Sequence, residues 1–172
     1  MSLLGPNLNV YLYDDLGLSR TMVGTVSLIG TGVATLIQPI IGLYSDKYGR
    51  KRFLILGALS LTLGNIVLFF AQNLSFVLIA QILISNYYNI FQFIGSAYIS
   101  DVVPQKEKST MLDIFGSVGS LSRSLGAIIG GYIITLTSIR TLTLISIVFP
   151  IASITIVLSL LTESLTLFKN KD

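Results

Sequence analysis

The 172-residue chain contains no cysteine and no histidine. Without cysteine there is no disulfide and no thiol nucleophile, and without both residue types no zinc site of the Cys/His kind. The missing histidine also removes the usual side chain for acid–base chemistry near neutral pH. Charge is scarce too, with Asp, Glu, Lys and Arg making up 11% of the residues against about 25% in an ordinary soluble domain. That is too little to give every helix a polar face toward water. What the chain has instead is apolar: 52% of it is hydrophobic, and its mean hydropathy is +0.82. The composition specifies an all-α, polytopic membrane helix bundle. No cofactor, no metal and no nucleic-acid partner is implied, and the net charge of +3 has a simpler origin in the membrane topology.

A helix needs about 20 apolar residues to cross the hydrocarbon core of a bilayer. Residues 21–44, 53–71, 76–100, 111–136 and 141–161 meet that length, and the fourth segment must tilt or protrude. The joints between them, "SDKYGRKR", "QNLS", "DVVPQKEKST" and "TSIR", are short, which makes neighbouring helices antiparallel. Ile, Val and Thr are plentiful, as in strands, but runs of this length without clustered turn residues argue against strands. An open sheet would also leave backbone groups unpaired in lipid.

Lys47, Arg50, Lys51, Arg52, Lys106, Lys108, Lys169 and Lys171 fall on one side of this topology, and only Arg20 and Arg140 on the other. Basic residues collect on the cytoplasmic side, so the first and third joints and the C-terminus are expected in the cytoplasm of a plasma-membrane protein, with the N-terminus outside. The start "MSLLGPNLNVYLYDD" lacks the basic region and cleavage site of a signal peptide. It reads either as a disordered tail or as the outer end of a helix whose first part lies before Met1. The expected organisation is a remnant of that first helix and an outer loop over residues 1–20, a five-helix bundle over 21–163, and a cytoplasmic tail over 164–172.

Gly42, Asp46, Lys47, Gly49, Arg50 and Lys51 lie in "GLYSDKYGRK" and fit the pattern G-x-x-x-D-[RK]-x-G-R-[RK] at every fixed position. This stretch resembles the signature loop between the second and third helices of the major facilitator superfamily. "YLYDDLGLSRTMVG" is similar to that family's outer end of helix one and entry into helix two, "AYISDVVPQKEKSTMLDIFGS" to its helix four to five connection, and "RSLGAIIGGYI" to its helix five. The resemblance covers nearly the whole chain, as the N-terminal half of a transporter without most of helix one. It implies that Arg50 pairs with an acidic residue near Asp101, in a latch that holds the cytoplasmic gate shut against the second half of the molecule. The residues themselves also suggest roles. Gly42 permits close approach of another helix, Gly49 a sharp turn at positive φ, and Asp46 acceptance from free N–H groups at a helix start. Arg50 presents a fork suited to a carboxylate. Alternatively, the charges only set topology, which is the expected role of Lys47, Lys51 and Arg52.

Within the third segment, Gln81, Ser85, Asn89, Gln92 and Ser96 recur on one helical face, with Tyr88 beside it. Polar groups in hydrocarbon need partners, so this face looks inward, either lining a substrate cavity or bonding helix to helix. In the fourth segment, Gly116, Gly119, Ser120, Arg123, Ala127 and Gly130 form a stripe of the small-xxx-small kind, expected to pack closely. Gly126, Gly130 and Gly131 match an antiporter variant of the family's helix five, but Ala127 replaces its proline. Arg123 lies about 20 Å along its helix, deep in the membrane. It is a candidate for binding an anionic substrate or a coupling carboxylate, or else is satisfied by carbonyls or water. Asp113 sits near the start of the same helix, where the helix dipole favours it.

These features imply a secondary transporter of small solutes, of drug or metabolite efflux type, working by alternating access. It would be present as an incomplete half that needs a second half or a second copy of itself. The other reading is a non-transporting fragment or a modulatory membrane subunit. A membrane enzyme is the third and weakest reading, because no nucleophile–base pair can be assembled inside the bilayer: every Lys lies in a joint or tail.

Overall fold

The structure, a computed structural model, describes residues 8–9, 12–13 and 17–160. Its long elements are five helices: α1 (Arg20–Tyr48), α2 (Arg50–Phe69), α3 (Leu74–Val102), α4 (Lys108–Leu136) and α5 (Ile139–Leu160). No strand occurs among the described residues. The tail expected over 164–172, with Lys169 and Lys171, lies outside them, as does most of the segment 1–20. Leu8 and Leu12, one helical turn apart, are described, and both are buried in the same cluster as Val26, Ala58, Ile139 and Leu142.

Local chemistry sets the helix ends. Ser19 Oγ accepts the Met22 N–H at 3.3 Å, and Asn73 Oδ1 accepts the Phe76 N–H at 3.2 Å. Each satisfies a donor that the first turn of a helix leaves unpaired. The expected eight-residue loop between the first two spans is corrected. α1 runs to Tyr48 and α2 starts at Arg50, so Gly49 alone separates them. Gly49 has φ +97° and ψ 139°, and its N–H donates to the Ser45 carbonyl at 3.0 Å. Side chains strongly disfavour that backbone region, so a glycine makes the one-residue turn possible.

α3 is the central helix. It packs against α2 on one side and α1 on another, while α2 also packs on α5; α1 and α2, though consecutive, barely touch. α1 and α3 run parallel in a constant register: Gly30 lies against Gln81 at one level and Arg50, just past the end of α1, reaches Asp101 at another, both 51 residues apart. α4 makes the lightest contacts of the five. α1, α2, α3 and α5 are long and apolar enough to cross a membrane. α4 matches α1 and α3 at 29 residues, but Arg123 and a run of serines and glycines dilute its apolar content. Helices of that length extend about 43 Å, past a hydrocarbon core of about 30 Å, which carries their charged ends out of the lipid.

Close approach in the core depends on glycines of α2. A Cβ on Gly64 would stand 2.9 Å from Ile84 Cγ1, 3.2 Å from Leu83 Cβ and 3.3 Å from the Ala80 carbonyl oxygen. Backbone cannot give way as a flexible side chain does. Gly64→Ala is therefore expected to destabilise the bundle by about 1–3 kcal/mol, lowering its unfolding temperature in detergent. Gly116→Ala serves as the comparison, since no described residue lies within 4 Å of its would-be Cβ, and should leave that temperature unchanged.

Candidate functional site

Two groups of candidate residues lie at different depths. The first is at the end of the bundle where α1 meets α2. Arg50 opens α2 with its side chain 16% exposed, and its Nη1 stands 2.8 Å from Asp46 Oδ1 in the last turn of α1. Its Nε donates to Asp101 Oδ2 near the end of α3, and Nη1 reaches Ser45 Oγ at 3.5 Å. Asp101 is 21% exposed and Asp46 61%, so the contact with Asp101 is the better shielded from solvent. Ser45 is fully buried, and its hydroxyl donates to the Gly42 carbonyl at 2.8 Å. Sequence reasoning passed over Ser45, whose only signal was its place beside Asp46.

Three expectations at this end are corrected. Asp46 does not cap a helix start: it ends α1, and α2 begins without a side-chain cap. Gly42 meets no other helix among the described residues, for none of them lies within 4 Å of its would-be Cβ. Its neighbourhood is a gap of about 20 Å³ lined by Gln38, Ile41, Asn86, Asn89 and Phe93 among others, because α1 and α3 approach closely higher up, at Gly30. Lys51 does more than set topology, since its Nζ donates to the Leu158 carbonyl at 3.0 Å, where the C-terminal end of α5 favours a cation. Arg50 and Lys51 together tie α2 to α1, α3 and α5; Lys47 instead lies over the Tyr48 ring at 5.4 Å.

The second group surrounds a cavity of about 610 Å³ between α3 and α4, lined by Tyr88, Asn89, Phe91, Gln92, Phe93, Phe115, Val118, Gly119, Ser122 and Arg123. Asn89 and Arg123 both sit about 22 Å from the first residue of their helices and about 20 Å from the last, near mid-membrane depth. Phe115 joins the two helices: a Cβ on Gly95 would stand 2.9 Å from Phe115 Cζ, and the Phe91 and Phe115 ring centroids are 5.5 Å apart. The cavity lies beside that aromatic contact and extends to Arg123, whose Nη2 donates to Ser120 Oγ at 2.9 Å.

The expected polar face of α3 is therefore split. Asn89 and Gln92 line the cavity, but Gln81 and Ser85 do not. Gln81 fills the place left by the missing side chain of Gly30, and Ser85 is 6% exposed within the bundle. Their shared helical face meets α1 at one level and α4 at another, which spacing along one helix cannot encode. The glycine stripe of α4 divides likewise. Gly126 and Gly130 are buried, whereas Gly116 and Gly119 have no described residue within 4 Å of a would-be Cβ, and Gly119 lines the cavity. Gly131 is intermediate in exposure. Phe91, Phe93 and Phe115 were missed because aromatics on an apolar helix look like ordinary lipid-facing residues.

The sequence pattern of the Major Facilitator Superfamily matches residues 1–171. The multi-drug resistance efflux pump PmrA of Streptococcus pneumoniae is 30% identical over 163 residues, covering 91% of this chain and 40% of that protein. The uncharacterized MFS-type transporter YfiU of Bacillus subtilis is 27% identical over 110 residues, covering 64% of this chain and 21% of that protein. The class H tetracycline resistance protein of Pasteurella multocida is 27% identical over 111 residues, covering 64% of this chain and 28% of that protein. The chain thus spans between about a fifth and two fifths of the length of these relatives.

Proposed function

This chain belongs to the Major Facilitator Superfamily, and on that premise we propose that it forms one helical half of a secondary active transporter that moves small solutes by alternating access. The family is one of multi-pass membrane transporters rather than enzymes. The observation that carries the reading is the cavity at mid-membrane depth, with Asn89, Gln92 and Arg123 facing into it from two helices. Solute sites of such carriers lie near the bilayer midplane, between two bundles that rock about them. Two of the relatives are named for drug efflux or drug resistance, which supports export of drugs or metabolites as the direction of transport.

Arg50, with Asp46 and Asp101, is the gate element in this reading. It fastens the ends of α1, α2 and α3 in one state and releases them in the other. The excess of Lys and Arg at that end supports a cytoplasmic location in the plasma membrane, with the C-terminus on the same side. Alternating access needs two bundles, so the partner is a second transporter half or another copy of this chain meeting it along α4.

Reconstitution tests the proposal. Liposomes containing the purified full chain should accumulate or release a labelled solute such as tetracycline faster than empty liposomes. The flux should saturate, and Arg123→Ala should abolish it without reducing the amount of protein incorporated. Cross-linking in the same liposomes should trap a dimer. Flux equal to that of empty liposomes, for every solute tried, removes the reading of a carrier built from two copies of this chain; the same result with a second transporter half co-reconstituted removes the carrier reading and leaves that of a modulatory membrane subunit.

A further inference from the structure

We propose that Asn65 of α2 and Ser146 of α5 hydrogen-bond to each other in a second arrangement of the bundle, the one in which the Arg50 end is released. Left unpaired in the arrangement described above, they raise its energy and bring the two arrangements close to balance. This deepens the carrier reading and rests on it for the use of the second arrangement in transport.

Asn65 is 1% exposed, yet neither its amide nitrogen nor its amide oxygen has a hydrogen-bond partner among the described residues, and neither is open to water. The hydroxyl of Ser146, a residue 8% exposed, is likewise buried and unpartnered. Polar atoms shut away from water without a partner destabilise the packing that encloses them. Here they sit on two helices that pack on each other, and they complement one another, since an amide donates and accepts and so does a hydroxyl.

The two residues also stand at one depth. Leu54 and Val157 share a buried cluster, and beside them Lys51 Nζ reaches the Leu158 carbonyl. Eleven residues along α2 from Leu54 is Asn65, and eleven back along the antiparallel α5 from Val157 is Ser146. Ile145 beside it is 38% exposed, so Ser146 is the residue of this pair that faces inward. Thr143, one turn away and buried, already donates to the Arg140 carbonyl at 2.7 Å and keeps a lone pair free to accept.

α5 is built to bend at this point. Pro150 lies inside the helix, fully buried, four residues after Ser146. Proline has no N–H, so the Ser146 carbonyl loses its usual helical donor. A bend at that turn breaks no bond to Pro150 and offers the Asn65 amide a second acceptor. Asn65 lies about 22 Å along α2 from Arg50. When Arg50 lets go of Asp46 and Asp101, a tilt of α2 about its Lys51 tie therefore moves Asn65 much further than the residues at the pivot. The Arg50 contacts offset the unpaired amide in one arrangement, and an interhelical hydrogen bond takes their place in the other.

The test reads the sign of each substitution in the full chain. Ser146→Ala and Asn65→Leu each remove an unpaired buried group and break no bond, so each should raise the unfolding temperature in detergent by about 2–4 °C. A cysteine at Ser96, on α3 between the cavity and Asp101, reports release of the Arg50 end by its labelling rate. In that Ser96→Cys chain either substitution should slow labelling about three- to tenfold, the scale of one interhelical hydrogen bond in a membrane, where Arg50→Ala should speed it. The double variant should slow labelling no more than either single one, because losing either partner breaks the same bond. Asn65→Ala, which adds no volume, should slow it as Asn65→Leu does. A lower unfolding temperature for Ser146→Ala, labelling that is unchanged or faster in the single variants, or a double variant whose effect is the product of the two overturns the proposal. Flux in liposomes separates this from the carrier reading. Slowed, non-additive labelling in a chain without flux supports the pair and removes the carrier, whereas flux in a chain whose labelling ignores Asn65 and Ser146 keeps the carrier and removes the pair.

Discussion

Gly49→Ala is expected to lower the unfolding temperature of the detergent-solubilised chain by about 4–8 °C and to reduce the yield of folded protein, with Gly49→Val more severe. Gly49 is the single residue between α1 and α2, it is buried, and its φ of +97° with ψ 139° lies outside the regions open to other residues. Forcing a side chain into such a conformation costs about 1–3 kcal/mol, which in a chain of this size corresponds to roughly the stated shift. The alternative is for the turn to open, and then Arg50 no longer meets Asp46 and Asp101 together. Thermal melts followed by circular dichroism, with gel filtration to measure the folded fraction, check this. A Gly49→Ala chain that melts with the parent would show that the turn can be made another way.

Arg50→Ala should raise the labelling rate of a cysteine placed at Ser96 about tenfold. Ser96 lies on α3 between the cavity and Asp101, with its hydroxyl donating to the Phe93 carbonyl at 2.9 Å, so Ser96→Cys is a small change. The native chain has no cysteine, and all labelling therefore reports that position. Hydrogen bonds to charged groups contribute about 1.5–3 kcal/mol each, and partial exposure reduces this toward the lower figure, which corresponds to about a tenfold change in an opening equilibrium. Asp101→Asn should act nearly as strongly as Arg50→Ala. Asp46→Asn should act much less, because Asp46 is 61% exposed against 21% for Asp101, and exposed ion pairs contribute little. Equal effects from the two aspartates, or unchanged labelling in Arg50→Ala, would remove the gate role from this cluster.

The end cluster was more legible in the sequence than the cavity. Asp46 and Arg50 stand four residues apart in a pattern with fixed spacing, and Asp101 could be located from its place at the end of an apolar run. The same pattern did not reveal that Ser45 would be buried beneath Arg50, or that Lys51 would reach the last turn of α5. Those contacts depend on how steeply the helices cross. On α3, spacing correctly grouped Gln81, Ser85, Asn89 and Gln92 on one face, but it carried no information about which neighbour each would meet. Gly30 decided the place of Gln81, and it lies on another helix 51 residues away. Phe115 lines the cavity. Nothing in the sequence marks it, because its role comes from meeting Gly95 and Phe91 across a helix interface.

The sequence by itself determined that the chain is a bundle of long helices in lipid and which end carries the charge. Hydrophobic length and turn chemistry are local properties, written within a few dozen consecutive residues. Tertiary structure decided which polar residues face the cavity, which glycines pack and which only leave space, and that Lys51 reaches the end of α5. Each of these depends on side chains from helices distant in sequence arriving at one depth, and that is set by the crossing of whole helices rather than by any stretch of residues.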